Sequence, residues 1–155
     1  MLALNVLLAM IWAAGTGQFS LANLAVGFVL GYLVLRLMYG ILPESGYFLR
    51  VQRVTSFAGF TIAEIIRANL RIARDVLTPR HTMRPGIVAV PLDAERDNEI
   101  TLLATLISLT PGSLVLDVSD DRRVIYIHAM NIPDRDAFIH EIKDGFERRV
   151  LEVLR

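Results

Sequence analysis

Residues 100–119, "ITLLATLISLTPGSLVLDVS", carry no charge before Asp117 and are long enough to suggest a membrane span, so their reading decides the fold. The stretch is broken inside. Thr110-Pro111-Gly112 puts Pro and Gly at the two central positions of a type II turn, the second of which needs positive φ. Before the break, Ile100, Leu102, Leu103, Leu106, Ile107 and Leu109 form a broad apolar face, while Thr101, Thr105 and Ser108 form a hydroxyl stripe at helical spacing. After it, Leu114-Val115-Leu116 leads into Asp117-Val118 as a strand. The helical part covers only about 15 Å, whereas a span needs about 30 Å. The stretch therefore predicts a buried helix followed by a strand in a water-facing domain.

The flanking sequence completes that domain. Arg84-Pro85-Gly86 breaks the chain, and Ile87-Val88-Ala89-Val90 is a short buried strand closed by Pro91. Asp97 or Asn98 is placed to cap the following helix. "SDDRR" (119–123) is a polar turn. In "VIYIHAM" (124–130), Val124, Tyr126, His128 and Met130 face one way and Ile125, Ile127 and Ala129 the other. Pro133-Asp134 opens a final helix whose buried face repeats every four residues at Phe138, Ile142, Phe146 and Val150, with Lys143–Glu147 and Asp144–Arg148 as i,i+4 pairs on the wet face. The order is β-α-β-β-α. The first crossover makes strands 87–90 and 113–118 parallel, and the next two strands form an antiparallel hairpin. Some 70 residues give a marginal core alone. The domain is thus expected to lean on the membrane helices or on another subunit, with Thr101, Thr105 and Ser108 as a candidate contact face. The competing expectation is that these hydroxyls bond back to their own helix.

The membrane-seeking sequence lies at the other end. The chain is 54% hydrophobic, high for a water-soluble protein of this size, and no charged side chain occurs from Met1 to Leu35. Gly15-Thr16-Gly17-Gln18 interrupts the run and Ser20 can cap the next helix, so two helices, roughly 2–14 and 20–39, form a transmembrane hairpin. Trp12, Tyr32 and Tyr39 fall near its ends, where aromatic rings mark interfaces. A signal peptide is disfavoured, because no basic region precedes the run and the apolar sequence resumes past the break. Gly27 and Gly31 form a small-xxx-small pair that admits another helix closely, a candidate subunit contact. Arg36, Arg50 and Arg53, opposed only by Glu44, place the 36–53 loop in the cytoplasm.

Residues 54–77, "VTSFAGFTIAEIIRANLRIARDVL", set Glu64, Arg67, Arg71 and Arg74 on one face among Phe57, Phe60, Ile62, Ile65, Ile66, Ile72, Ala73 and Leu77. Two arrangements fit. The helix lies in the interface plane with Arg71 and Arg74 near lipid headgroups. Alternatively it is a third span, with Glu64 and Arg67 as an intramembrane pair turned toward a partner. Arginine on both flanks favours the first, and an ordinary i,i+3 surface pair is the plain alternative for Glu64 and Arg67. Up to Arg84 the chain carries 8 basic against 3 acidic residues, and from Pro85 onward 8 against 13. A basic, apolar half meeting an anionic membrane surface and an acidic half in water fit that division. The expected domains are a hairpin (1–40), a loop with an amphipathic or third membrane helix (41–84), and a cytoplasmic α+β domain (85–155).

The chain is poor in chemistry-bearing motifs. It has no cysteine, and His81, His128 and His140 fall on separate elements, so neither metal nor cofactor is expected. Phosphate-loop, dinucleotide and nucleophile-elbow motifs do not occur. The arginines of 67–84 are not interleaved with exposed aromatics, which points away from nucleic acid.

Several blocks carry a resemblance: "FSLANLAVGFVLGYLVLRL", "RPGIVAVPLD", "LLATLISLTPGSLVLDVS" and "IYIHAMNI". In this order and over nearly the whole chain they resemble the E subunit of the multisubunit, Mrp-type Na+/H+ (monovalent cation/proton) antiporters of bacteria. The resemblance implies a plasma-membrane complex in which large subunits carry the ions. The E subunit is then a small accessory, non-enzymatic member whose partners are the other subunits and the bilayer. The resemblance supplies no catalytic residue for these positions. A membrane-tethered binding module acting outside an antiporter is the competing reading.

Overall fold

The computed structural model describes residues 1–38, 46–78 and 83–155. The expectations for Tyr39, Glu44, Pro79, Arg80 and His81 fall outside them. In chain order the elements are α1 (Leu2–Thr16), α2 (Leu21–Leu37), α3 (Tyr47–Leu77), β1 (Gly86–Pro91), α4 (Asp97–Leu109), β2 (Ser113–Val118) and β3 (Val124–Ala129). A last helix follows as α5 (Arg135–His140), a π-helical stretch (Glu141–Glu147) and α6 (Arg148–Leu154). The chain divides into two units, Met1–Gln52 and Arg53–Arg155. The boundary falls within α3, so the second unit takes in most of that helix, whereas the sequence suggested three parts divided near residues 40 and 84.

In the first unit α1 and α2 pack through small residues. Asn5, Ala9 and Ala13, four apart on α1, are buried, as are Gly27, Gly31 and Leu35 on α2. A Cβ on Gly27 would lie 3.0 Å from the Ala9 carbonyl oxygen, and one on Gly31 would meet the Asn5 side chain. The face assigned above to another subunit is thus occupied by α1 of the same chain. The turn is fastened locally: Ser20 caps α2 by accepting from the Asn23 N–H at 3.2 Å, and the Trp12 indole donates to Asn23 at 3.0 Å. Tyr47 accepts from Asn5 Nδ2 at 2.8 Å, and its ring forms a cluster with Tyr32 and Phe48. Trp12 and Tyr32 therefore have packing roles of their own. With 15 residues α1 falls short of a full span, and α2, with 17, reaches only the lower limit of one. Among the described residues no helix is long and apolar enough to cross a membrane.

The opening stretch folds as its internal break requires. In α4, Leu103 and Ile107 are fully buried, and with Val90, Ile125, Ile127, Ile142, Phe146 and Val150 they form the core of the second unit. Each such side chain contributes about 1.5–3 kcal/mol relative to exposure. Gly112 has φ +94°, and the Ser113 N–H closes the turn on the Thr110 carbonyl at 3.2 Å. β1 and β2 run the same way, as the crossover requires, but they do not touch: β3 lies between them, antiparallel to both, in the order β1-β3-β2. The crossover leaves a gap one strand wide, and the short return after β2 fills it. A bulge at Leu116 interrupts the β2–β3 register.

The four-residue repeat of the last helix has a structural counterpart. At ~100° per residue, three steps of four overshoot three full turns by about 120°, which would carry Val150 off the buried face. The π-helical stretch underwinds the helix and takes up this drift. It also turns Glu147 inward, so the Lys143–Glu147 pair is formed at 2.6 Å but is not on the wet face: Glu147 is 1% exposed. Arg148 approaches Glu152 at 3.9 Å rather than pairing with Asp144.

Neither Asp97 nor Asn98 caps α4. Arg96 holds the N-cap position, and the carboxylate of Glu99 reaches back to the N–H groups of Glu95 and Arg96 at 3.1 and 3.3 Å. Arg155 grips the same carboxylate with two hydrogen bonds of 3.0 Å. Glu147 accepts from the N–H groups of Asp93 and Ala94 at 2.7 and 2.9 Å.

Two outcomes are expected. Gly112→Ala places a side chain at φ +94° and 3.4 Å from Ile72, and should destabilise the second unit by about 1–2 kcal/mol, measured by denaturant unfolding of the detergent-solubilised chain. Glu99 is held down from its ordinary 4.5 to about 2, first by the Arg155 hydrogen bonds, against the opposing effect of burial, and further by the N–H groups of Glu95 and Arg96. Because the folded value is depressed, its contribution is complete above pH 4.5 and is lost as pH falls toward 2. Melting temperature should therefore drop across that window, and Glu99→Gln should flatten the drop while lowering stability at neutral pH.

Candidate functional site

The inner side of α3 builds the most developed site. Phe57 and Phe60 join the core, and the Phe60 ring meets Phe146 edge-on at 5.5 Å while the Arg149 guanidinium lies 4.0 Å over its face. One turn on, Glu64 is 7% exposed. It accepts from Arg67 at 2.8 Å and lies 3.8 Å from Arg71, so one shielded carboxylate answers two guanidiniums that remain largely exposed. This is more than the plain i,i+3 surface pair, because an anion taken out of water needs cationic partners to stay charged.

Glu64 and Arg71 line a groove of about 210 Å³ between α3, the 110–112 turn and the last helix. Thr110, Pro111 and Gly112 form one wall, and Phe138 and Ile142 another. Asp75, Asp134 and Glu141 add acid to the lining, which sequence reading did not single out. Glu64 and Asp75 are eleven residues apart, three turns of one helix, and that spacing is a signal the sequence held. The contributions of Asp134 and Glu141 depend on the fold of the last helix and had no local signal.

Other candidates lie apart from the groove. Arg67 and Arg74 are on the exposed flank of α3. Thr101, Thr105 and Ser108 form an exposed stripe on α4. Thr105 bonds back to the Thr101 carbonyl at 2.7 Å, and Ser108 accepts from the Val115 N–H at 3.2 Å, tying α4 to β2. His128 is half-buried on β3 and His140 exposed at the end of α5. Among the described residues no three His, Asp or Glu side chains gather as a metal-binding group. The chemistry offered by the groove is charge pairing around a shielded carboxylate.

Comparison with known proteins agrees with this architecture. Residues 5–153 match the family model MNHE, described as Na+/H+ ion antiporter subunit. The chain is 38% identical over 152 residues to the Na(+)/H(+) antiporter E subunit of Alkalihalophilus pseudofirmus, covering 98% of this chain and 96% of that protein. It is equally 38% identical to the protein of the same name from Bacillus subtilis, with the same coverage. A chain in the structure of the Mrp complex from Dietzia sp. DQ12-45-1b is similar with a TM-score of 0.52 and 28% identity, over 66% of this chain and 96% of that one. A chain of the membrane-bound sulfane sulfur reductase, an archaeal respiratory membrane complex, shares the fold with a TM-score of 0.57 at 24% identity, over 96% and 95%. A match running from residue 5 to residue 153 through hairpin, α3 and α+β unit alike makes this chain a member of the E-subunit family of Na+/H+ antiporters.

Proposed function

We propose that the chain is an accessory, non-transporting subunit of a multisubunit Na+/H+ antiporter in the cell membrane, where it supports assembly and stability of the ion-carrying subunits. The relatives are named as subunits of such antiporters, and a structural neighbour sits in an Mrp complex. The observation that carries the accessory role is the state of the buried carboxylates. Glu64, Glu99 and Glu147 are each engaged by arginine or lysine of the same chain. Carboxylates fixed in this way hold a fold, whereas a proton path needs a chain of titratable groups or waters through the membrane. The hairpin supplies no such chain, since residues 1–35 contain no charged side chain.

In this reading α1 and α2 anchor in the bilayer as a short hairpin, leaning on neighbouring helices or on locally thinned lipid. The α+β unit faces the cytoplasm, on the side of Arg36, Arg50 and Arg53. The groove beside Glu64 favours a second reading, a tethered module that recognises a ligand or protein by itself.

Affinity purification of the tagged chain from mild detergent should bring down large polytopic subunits, and its deletion should lower the amount of assembled complex. A stable lone monomer with unchanged complex levels elsewhere would favour the tethered module. Sidedness is checked by single cysteines in this cysteine-free chain: Gln18→Cys in the hairpin turn should react with impermeant thiol reagents from outside. Asp120→Cys in the β2–β3 turn should react only once the membrane is opened.

A further inference from the structure

We propose that the outward face of α3 over residues 62–77 is a lipid contact that lies along the surface of an anionic phospholipid bilayer, its axis in the membrane plane. The inference rests on the membrane location proposed above and goes beyond it in giving α3 a defined surface and orientation. The helix has two unlike sides. Phe57, Phe60, Glu64 and Ala68 turn inward, toward the α+β core and the groove. On the opposite side Ile62, Ile66, Leu70 and Leu77 are all more than half exposed, at four- and seven-residue spacing, with exposed Ala73 between them. Asn69 interrupts this stripe, but its amide is folded back onto the Ile65 carbonyl at 2.7 Å, which lowers its demand for water.

Between the two sides runs a row of guanidiniums. Arg67 and Arg71 share the single Glu64 carboxylate, and Arg74 has no ion-pair partner among the described residues. Asp75 faces the groove rather than this row. An apolar stripe bordered by cations is the pattern of an interfacial helix, whose apolar residues sink about 5–10 Å while the cations meet phosphate oxygens. Three arginines within two turns oppose passage of this segment through hydrocarbon. The inward side is already occupied by the α+β unit, so one side of the helix is left for lipid. The excess of basic residues over acids up to Arg84 selects an anionic surface.

Because the chain has no cysteine, nitroxide labels can be placed singly in the full chain by Ile62→Cys, Ile66→Cys and Leu70→Cys. Val29→Cys in α2 and Asp120→Cys in the β2–β3 turn serve as references. After reconstitution in phosphatidylglycerol–phosphatidylcholine vesicles, collision with oxygen and with a water-soluble nickel chelate reports depth. The three α3 labels should favour oxygen over nickel several-fold relative to Asp120→Cys, at one shared shallow depth. Replacing the phosphatidylglycerol with phosphatidylcholine should shift them toward nickel. A depth that changes by about 12 Å between positions 62 and 70, eight residues at 1.5 Å each, would show a span and overturn the proposal. Shielding from both reagents would show a protein partner, nickel access like that of Asp120→Cys would show no contact, and either result would overturn it too. An unchanged profile in phosphatidylcholine alone would remove the role of the arginines. The Val29→Cys label reads hairpin insertion independently, so failure of the membrane location and failure of the α3 contact give different patterns.

Discussion

The α+β unit depends on how it satisfies the connection between β1 and α4. Four consecutive backbone N–H groups, at Asp93, Ala94, Glu95 and Arg96, have no strand or helix partner; that of Ala94 is buried and the other three are partly shielded. Two carboxylates take all four: Glu147, from the last helix, accepts the first pair, and Glu99, from the first turn of α4, accepts the second. Unmet buried amides are expensive, and so are unpaired buried anions. Lys143 and Arg155 settle the second cost by pairing with the acids that settle the first. The result links β1, α4 and the C-terminal helix through one set of charge-assisted contacts, and the apolar core closes beneath it.

The same logic accounts for what could be read in the sequence. The break at Pro111-Gly112 and the alternation of Ile125, Ile127 and Ala129 are local signals, and both identified their elements. The Ser20 cap and the phase of Phe138, Ile142, Phe146 and Val150 were equally legible. The order of the sheet was not, because a crossover fixes the relative direction of two strands without saying whether they touch. Glu99 and Glu147 were hidden for a different reason. Each looks like a surface acid in sequence, and its burial is set by partners about fifty residues away. The exact four-residue repeat did hold a clue, since a period longer than that of the α-helix already implies local underwinding.

At the candidate site the balance is similar. The Glu64–Arg67 spacing was visible on one helix, but the approach of Arg71 to the same carboxylate and the burial of Glu64 appear only in the folded chain. The Gly27/Gly31 pair was correctly read as a place of close helix approach, yet the occupant is α1. A motif of small residues specifies distance and leaves the identity of the neighbour open. Family membership adds the setting, a multisubunit antiporter, in which Glu64, Glu99 and Glu147 are already committed to cations of this same chain.

The central place of β3 bears on how the protein is made. β1 emerges from the ribosome more than thirty residues before the strand that pairs with it. The amides following β1 wait longer still, for a carboxylate on the last helix. Helices α1 and α2, whose mutual contacts are local in sequence, can pair while the α+β unit is still an open chain. The order of synthesis therefore favours the helical pair first and closure of the sheet second, and during that interval the unpaired edge of β1 is the segment most in need of protection from wrong partners.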